Sequence, residues 1–324
     1  MARRHKGRQL DGVFLLDKPP GLSSNGVLQY VKRLYGAAKA GHTGALDPLA
    51  TGMLPLTFGE GTKFSQFLLD ADKRYQTTAK LGIRTDSSDA DGAVVEEKTI
   101  GDHVNQALIE SLINDHFRGE IEQVPSMFSA LKHNGQPLYK LARKGEKVAV
   151  KPRKVRILEI SLLDYRPEMA ELDLDIRCSK GTYIRSIVED LGLLLGCGAH
   201  VQKLRRLESG PYKKEMMITM AQLEQLVTEH KVVNDEAQEE SSSALFEQLD
   251  SLLLPIYSPI EHLEKFMLDD EQKAAVFQGK KIKVSAEPAE VIRLHMQSDD
   301  SFVGIGVISE QGVLSSKRLL NTSD

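Results

Sequence analysis

Cysteine is nearly absent from this chain of 324 residues, which holds only Cys178 and Cys197. Two thiols so far apart cannot build a Cys-rich zinc cluster or a disulfide framework, so a reducing compartment is expected. No apolar run approaches the roughly 18 residues of a membrane helix. The first residues, MARRHKGRQLDG, are basic with no apolar stretch behind them, which is not a secretory signal. A cytoplasmic protein with no membrane association is expected. There is no Rossmann glycine fingerprint and no P-loop, and the nine histidines are not at metal-ligand spacing. Tryptophan is missing altogether.

What is present describes a soluble globular protein, with 41% apolar and 27% charged residues. The length suits about two domains and is ample for a buried core. The formal net charge of −4 argues against a nucleic-acid binder until its distribution is read. Residues 229–250 hold seven acids and one base, a net of −6 that leaves +2 for the rest. Residues 132–156 hold nine bases and one acid, residues 1–10 four bases and no acid, and residues 200–214 five bases and one acid. Clustered Lys and Arg interleaved with Gly135, Tyr139 and Tyr212 are what phosphate neutralisation requires.

Periodicity predicts a strand at 11–16 and a helix at about 25–35 capped by Ser23, Ser24 or Asn25. It predicts further strands at 74–82, 155–163 and 170–178, and helices at 103–117, 183–195 and 219–229. The helix at 103–117 would present Val104, Leu108, Leu112 and Ile113 on one face. The low-complexity insert at 232–247 reads as an outward-facing acidic, mobile loop. Beyond Leu254-Pro255, one short helix at 269–279 and four short strands predict a small β-rich terminal domain. The division expected is 1–250 and 251–324.

The segment Gly41-His42-Thr43-Gly44-Ala45-Leu46-Asp47-Pro48-Leu49-Ala50-Thr51-Gly52-Met53-Leu54-Pro55-Leu56 packs three glycines and two prolines around one carboxylate. Such a segment is expected to be a fixed, irregular loop. An Asp on a Gly/Pro loop is most often a turn former or a cap. Between Gly44 and Gly52, however, Asp47 sits where a bulky ligand can approach the backbone, as a nucleophile or general base must.

This segment resembles the signature of the TruB-type tRNA pseudouridine synthases. Further blocks carry the resemblance: LDKPPGLSSN (16–25), KRYQTTAKLGIRTDSSDADG (73–92), QVPSMFSALKHNGQPLYKLARKGE (123–146), CSKGTYIRSIVEDLG (178–192) and GAHVQKLRRLESGPY (198–212). Their order and spacing hold from about residue 10 onward, and the C-terminal segment resembles, more weakly, a PUA RNA-binding module.

The resemblance implies an α+β fold: a mixed, largely antiparallel sheet flanked by helices and loops, plus the small C-terminal domain. It implies conversion of uridine 55 in the tRNA T-loop to pseudouridine, the base being cut from ribose, turned and reattached through carbon. No cofactor or metal is implied. The essential aspartate falls on Asp47, and Arg185 is its candidate counter-ion, expected to lower its pKa. Tyr75, Tyr183 and Leu204 fall on positions that line the base pocket, with Tyr75 packing on the extruded base, a task Tyr and Phe inherit in a chain without Trp. His42 falls on a histidine that fills the vacated stack of the RNA loop. Residues 124–152 fall on a thumb that closes over RNA. The implied partner is the T-arm of tRNA, bound by a monomer with no protein or guide RNA. Two alternatives are a guide-RNA-dependent dyskerin-like enzyme, which would lack the long thumb, and a tRNA-folding chaperone, alone or beside catalysis.

Overall fold

The computed structural model describes residues 7–129, 131–142, 144–146, 148–233 and 238–321, with no side chain described over 230–242. Arg143 of the basic segment and residues 234–237 of the acidic insert lie outside the described residues.

The chain opens on β1 (Gly12–Lys18), a nearly continuous apolar run buried on both faces. The Pro19-Pro20-Gly21 turn leads to α1 (Ser24–Leu34), where the Ser23 hydroxyl accepts from the Gly26 N–H at 3.1 Å. Two short segments, β2 (Ala40–His42) and β3 (Thr51–Phe58), then flank the Asp47 loop. Next come α2 (Ser65–Asp70), β4 (Lys73–Leu81) and the pair β5 (Ile83–Thr85) with β6 (Val94–Glu97). Helix α3 (Gln106–His116) leads to β7 (Gly119–Gln123), and β8 (Lys132–His133), β9 (Gln136–Pro137) and α4 (Leu138–Ala142) follow. Strands β10 (Arg153–Arg166) and β11 (Glu171–Cys178), helix α5 (Ile184–Leu194), and β12 (Ala199–Ser209) and β13 (Ile218–Thr219) complete the large sheet.

That nine-stranded sheet runs β13-β1-β3-β12-β4-β11-β10-β7, with β2 added beside β3. It is antiparallel except at β1–β13 and β3–β12. One face carries the main core, where α1, α3 and α5 press Val27, Val31, Ile109, Ile113, Ile187 and Leu191 onto Leu54, Leu174, Ile176 and Val201. In α3 the deepest residues are Ile109 and Ile113, with Leu108 and Leu112 only partly buried.

Strand β3 corrects the expectation of an irregular loop through residue 56. Gly52 and Pro55 disguise it, yet β3 pairs with β1 from Gly12–Phe58 to Lys18–Gly52. A Cβ on Gly52 (φ +96°) would sit 2.2 Å from the Arg206 carbonyl oxygen, so the close β3–β12 approach requires glycine. Pro55 contributes only its carbonyl, which accepts from the Thr43 N–H at 3.1 Å.

The acidic insert is a second correction. In place of a loop, α6 (Met220–Val233) continues past 229 and α7 (Gln238–Ser251) starts soon after. Leu245, Phe246 and Leu249 of α7 join the main core, and Tyr35 Oη donates to the Leu249 carbonyl at 2.8 Å. The Arg8 guanidinium lies 4.1 Å from the Phe246 ring centre. A seam of apolar residues thus runs inside a segment whose composition reads as solvent-facing.

Leu254 still hydrogen bonds to Val13, and the second sheet begins at β14 (Lys265–Leu268). Helix α8 (Asp270–Phe277) starts in a capping box made by Asp269 and Gln272. Strands β15 (Ile282–Lys283), β16 (Ala289–Met296), β17 (Phe302–Ile308) and β18 (Val313–Leu319) then form the order β14-β16-β17-β18-β15. This smaller sheet has its own core around Leu268, Val276, Leu294 and Leu314. It docks on residues 59–67 through Phe64, Ile260 and Ile305, with Phe64 edge-on to Phe302 at 5.4 Å. Lys63 Nζ donates to the Leu319 carbonyl at 2.9 Å across the same junction.

Candidate active site

The loop between β2 and β3 is held from three sides, and each hold comes from a different part of the sequence. At the end of β1, Lys18 is fully buried and donates to the carbonyls of Pro19 (2.8 Å), Pro48 (3.2 Å) and Ala50 (2.8 Å). From the first turn of α1, the Ser24 hydroxyl donates to the Leu46 carbonyl at 2.9 Å and accepts from its N–H at 2.8 Å. From β12, the buried Arg206 donates Nε–H to the Met53 carbonyl (2.6 Å) and Nη2–H to the Gly44 carbonyl (3.0 Å). Three side chains from outside the loop, a turn lysine, a serine in the first turn of α1 and one of two adjacent arginines, therefore converge on it.

Asp47 projects from this loop into a cavity of about 300 Å³. Tyr75, Tyr183, Arg185 and Leu204 line the same cavity, together with Ser129, Arg206 and Lys73. Five of the six residues singled out from the sequence thus share one recess. His42 is the sixth: it ends β2 outside the lining, its buried Nδ1 has no hydrogen-bond partner among the described residues, and burial and then Arg206 lower its pKa. Larger cavities lie elsewhere, at the junction of the two sheets, beside Leu49 and Gln76, and beside Gly82 and Lys98. None of these contains Asp47 or Arg185, so size does not mark this recess.

Arg185 is in the first turn of α5 with only 4% of its side chain exposed, which removes the reading of a surface arginine on a helix. Its Nε lies 3.2 Å from Asp47 Oδ2, and its Nη1 lies 3.3 Å from Asp89 Oδ2. Nη1 also donates to the Ser87 carbonyl (2.9 Å) and Nη2 to the Phe128 carbonyl (3.1 Å). Asp89 is itself buried, and its Oδ1 accepts from the Ser87 hydroxyl at 2.6 Å. Residues 85–92 enter the sequence reading as part of one block of the resemblance, which does not single out Asp89. A buried carboxylate in a turn has no periodicity to announce it, and only its arginine partner, about a hundred residues away, reveals its role.

The expectation that Arg185 lowers the Asp47 pKa describes one contribution of several. Burial is the largest influence and raises it, Arg185 and Lys18 pull it down, and Asp89 and Asp91 push it up, for a net rise. The Asp47 side chain still keeps 41% of its accessible surface, so a ligand filling the recess desolvates it further. Lys18, buried against backbone carbonyls, has its pKa lowered to about 8 by desolvation, while Asp47 acts in the opposite sense. Tyr183 caps the cavity wall through a reciprocal pair with Gln123, whose Oε1 accepts from the Tyr183 N–H at 3.0 Å. Together the recess offers a polarised carboxylate, a paired guanidinium and aromatic walls. That set can hold a flat, uncharged ring and act on the carbon beside it.

Known proteins match nearly the whole of this chain. Residues 32–184 match the model of the TruB family pseudouridylate synthase N-terminal domain. Residues 185–261 match the tRNA pseudouridylate synthase B C-terminal domain, and residues 265–320 match the pseudouridine synthase II TruB C-terminal model. A Vibrio vulnificus protein named tRNA pseudouridine synthase B is 51% identical over 99% of this chain and 98% of its own. A Shewanella denitrificans protein of the same name is 50% identical over 99% of this chain and 97% of its own. Among solved structures, a chain of a Cbf5-Nop10-Gar1 complex is similar at 27% identity and TM-score 0.68, over 95% of this chain and 84% of that one.

Proposed function

The chain belongs to the TruB family of pseudouridylate synthases, which isomerise uridine in tRNA to pseudouridine, and from that premise we propose that it acts on uridine 55 of the T-loop, with Asp47 as the reacting carboxylate and Arg185 as its counter-ion. The observation that carries the assignment is the 3.2 Å Asp47–Arg185 pair inside a cavity walled by Tyr75, Tyr183 and Leu204. A uridine stacked in a folded T-loop cannot reach such a recess, so it is extruded and stacked against tyrosine. Asp47 can then attack the sugar, attack the base or abstract a ribose proton. Each step needs the carboxylate ionised, which Arg185 and Lys18 favour as the base displaces water.

Residues 124–152 serve as the thumb in this reading. Their root already walls the recess, through the Phe128 carbonyl on Arg185 and Ser129 in the lining. The hairpin and helix beyond carry the exposed Lys132, Lys140 and Lys144, suited to phosphates. Residues 251–324 add a second RNA-contacting unit. The protein works in the cytoplasm as a monomer without cofactor, metal, guide RNA or protein partner. A guide-RNA-dependent enzyme is the weaker reading, because relatives about 50% identical over nearly the whole chain are named for tRNA, whereas the Cbf5 likeness is at 27%.

The test is the purified chain on an unmodified tRNA transcript, with pseudouridine mapped afterwards. Pseudouridine at position 55 is expected with the wild type and not with Asp47→Asn. Product from the variant would remove Asp47 from the chemistry, and a wild type that needs added RNA or protein would remove the stand-alone reading. A variant that binds tRNA tightly and still aids its folding would add the chaperone role.

A further inference from the structure

Two buried arginines face the recess, and only one is neutralised. Arg185 has Asp47 and Asp89. Arg206, 1% exposed, has no carboxylate within ion-pairing distance among the described residues; it donates to the Met53 and Gly44 carbonyls and hydrogen bonds with the Tyr75 side chain. Its charge reaches several titratable neighbours. It lowers the pKa of His42, Lys18 and Lys73 behind the larger effect of burial, and it opposes the burial that raises Tyr75. Lys73, the other cation in the lining, is spent at the end of α2, donating to the carbonyls of Leu68 (2.9 Å), Leu69 (2.9 Å) and Ala71 (2.6 Å). A buried guanidinium with no carboxylate partner is unfavourable in a resting protein, and a guanidinium has five N–H donors, more than two carbonyls and one tyrosine hydroxyl consume.

Position shows what the spare charge would meet. Arg206 is the direct β-sheet partner of Tyr75 and lies two residues from Leu204, the residues assigned above to the base. Arg185 stands by the carboxylate instead. We propose that Arg206 stabilises the negative charge carried by the uracil while it is detached from the ribose, a role that rests on the pseudouridine reading of this recess. When the C1′–N1 bond breaks, its electron pair goes to the base and spreads over N1, O2 and O4. The base turns, an electron pair at C5 forms the C1′–C5 bond, the C5 proton is lost and a ring nitrogen gains one, so the product is an isomer. A fixed cation beside the anionic base, in a recess that the RNA closes to water, stabilises the interval between cleavage and reattachment.

The test compares single-turnover loss of the target nucleoside in two tRNA transcripts, one with uridine and one with 5-fluorouridine, whose electron-poor base carries negative charge with less help. Arg206→Met is expected to slow the uridine substrate by on the order of 10²–10³ and the fluorouridine substrate by roughly tenfold less, with tRNA affinity little changed. Arg206→Lys, which keeps the charge, should restore most of the rate. The ratio of the two rates within one preparation is independent of how much of the variant is folded. Equal slowing of both substrates would overturn the proposal and leave Arg206 as a brace for Gly44 and Met53. A wild type that makes no pseudouridine would fail the reading of the recess itself, a distinct result.

Discussion

The two ends of the recess are built from the same side-chain type with opposite electrostatic balance. At the α5 end, Arg185 is shared between Asp47 and Asp89, and the Ser87 and Phe128 carbonyls take its remaining donors. At the β12 end, Arg206 touches backbone carbonyls and has no carboxylate among the described residues. The first arrangement braces the Asp47 carboxylate and offsets part of the rise in pKa that burial causes. The second leaves positive charge over, which only an electron-rich ligand satisfies. Counting buried arginines would make the ends equivalent; their partners make them different tools.

Removing the acid should break the comparison most sharply: Asp47→Asn is expected to lower turnover by on the order of 10⁴-fold, with tRNA binding retained, as single-turnover assays and filter binding would show. The Arg206→Met series ranks next. Asp89→Asn should follow, at roughly tenfold to a hundredfold in rate, because it removes one of the two carboxylates that seat Arg185. Its pH profile gives a sharper reading. Asp89 raises the Asp47 pKa, and activity is lost as pH falls through that pKa, so Asp89→Asn should move the acid limb to lower pH. Lys18→Met should do the reverse, since Lys18 pulls the Asp47 pKa down. It should also destabilise the fold by about 1–3 kcal/mol, measurable by denaturant titration, by stranding three carbonyls. If both variants move the limb in the same direction, the electrostatic account of Asp47 is wrong. Smallest is charge reversal at Lys140 and Lys144, expected to weaken tRNA binding and flatten its salt dependence by roughly one unit of slope per lost phosphate contact. An unchanged slope would take residues 124–152 out of the RNA interface.

Much of the architecture is legible along the chain, because strands such as Glu171–Cys178 and helices such as Ser24–Leu34 carry their periods openly. Strand Thr51–Phe58 and helix Gln238–Ser251 are hidden for opposite reasons. The first contains residues that normally break strands, tolerated because β12 demands a glycine at 52 and Pro55 is needed only for its carbonyl. The second buries Leu245, Phe246 and Leu249 within a polar, acidic composition. Among site residues, Asp47, Arg185, Tyr75, Tyr183 and Leu204 are marked by motif resemblance, and the fold brings them to one recess. Asp89, Ser24, Lys18 and Arg206 carry no local signal of their part in it.

By itself the sequence determined the order of elements, the family, the separation of basic patches from an acidic segment, and the one aspartate set in a Gly/Pro loop. Those properties reside in neighbouring residues and their spacing. Tertiary structure decided which arginine is neutralised and which is not, that Asp47 titrates above rather than below its ordinary range, and that a net charge of −4 coexists with a cation that has no carboxylate partner among the described residues, in the recess that holds Asp47. The reason is physical: a charge takes its energy from its distance to other charges and to water, and both are set only when segments remote in sequence are packed together.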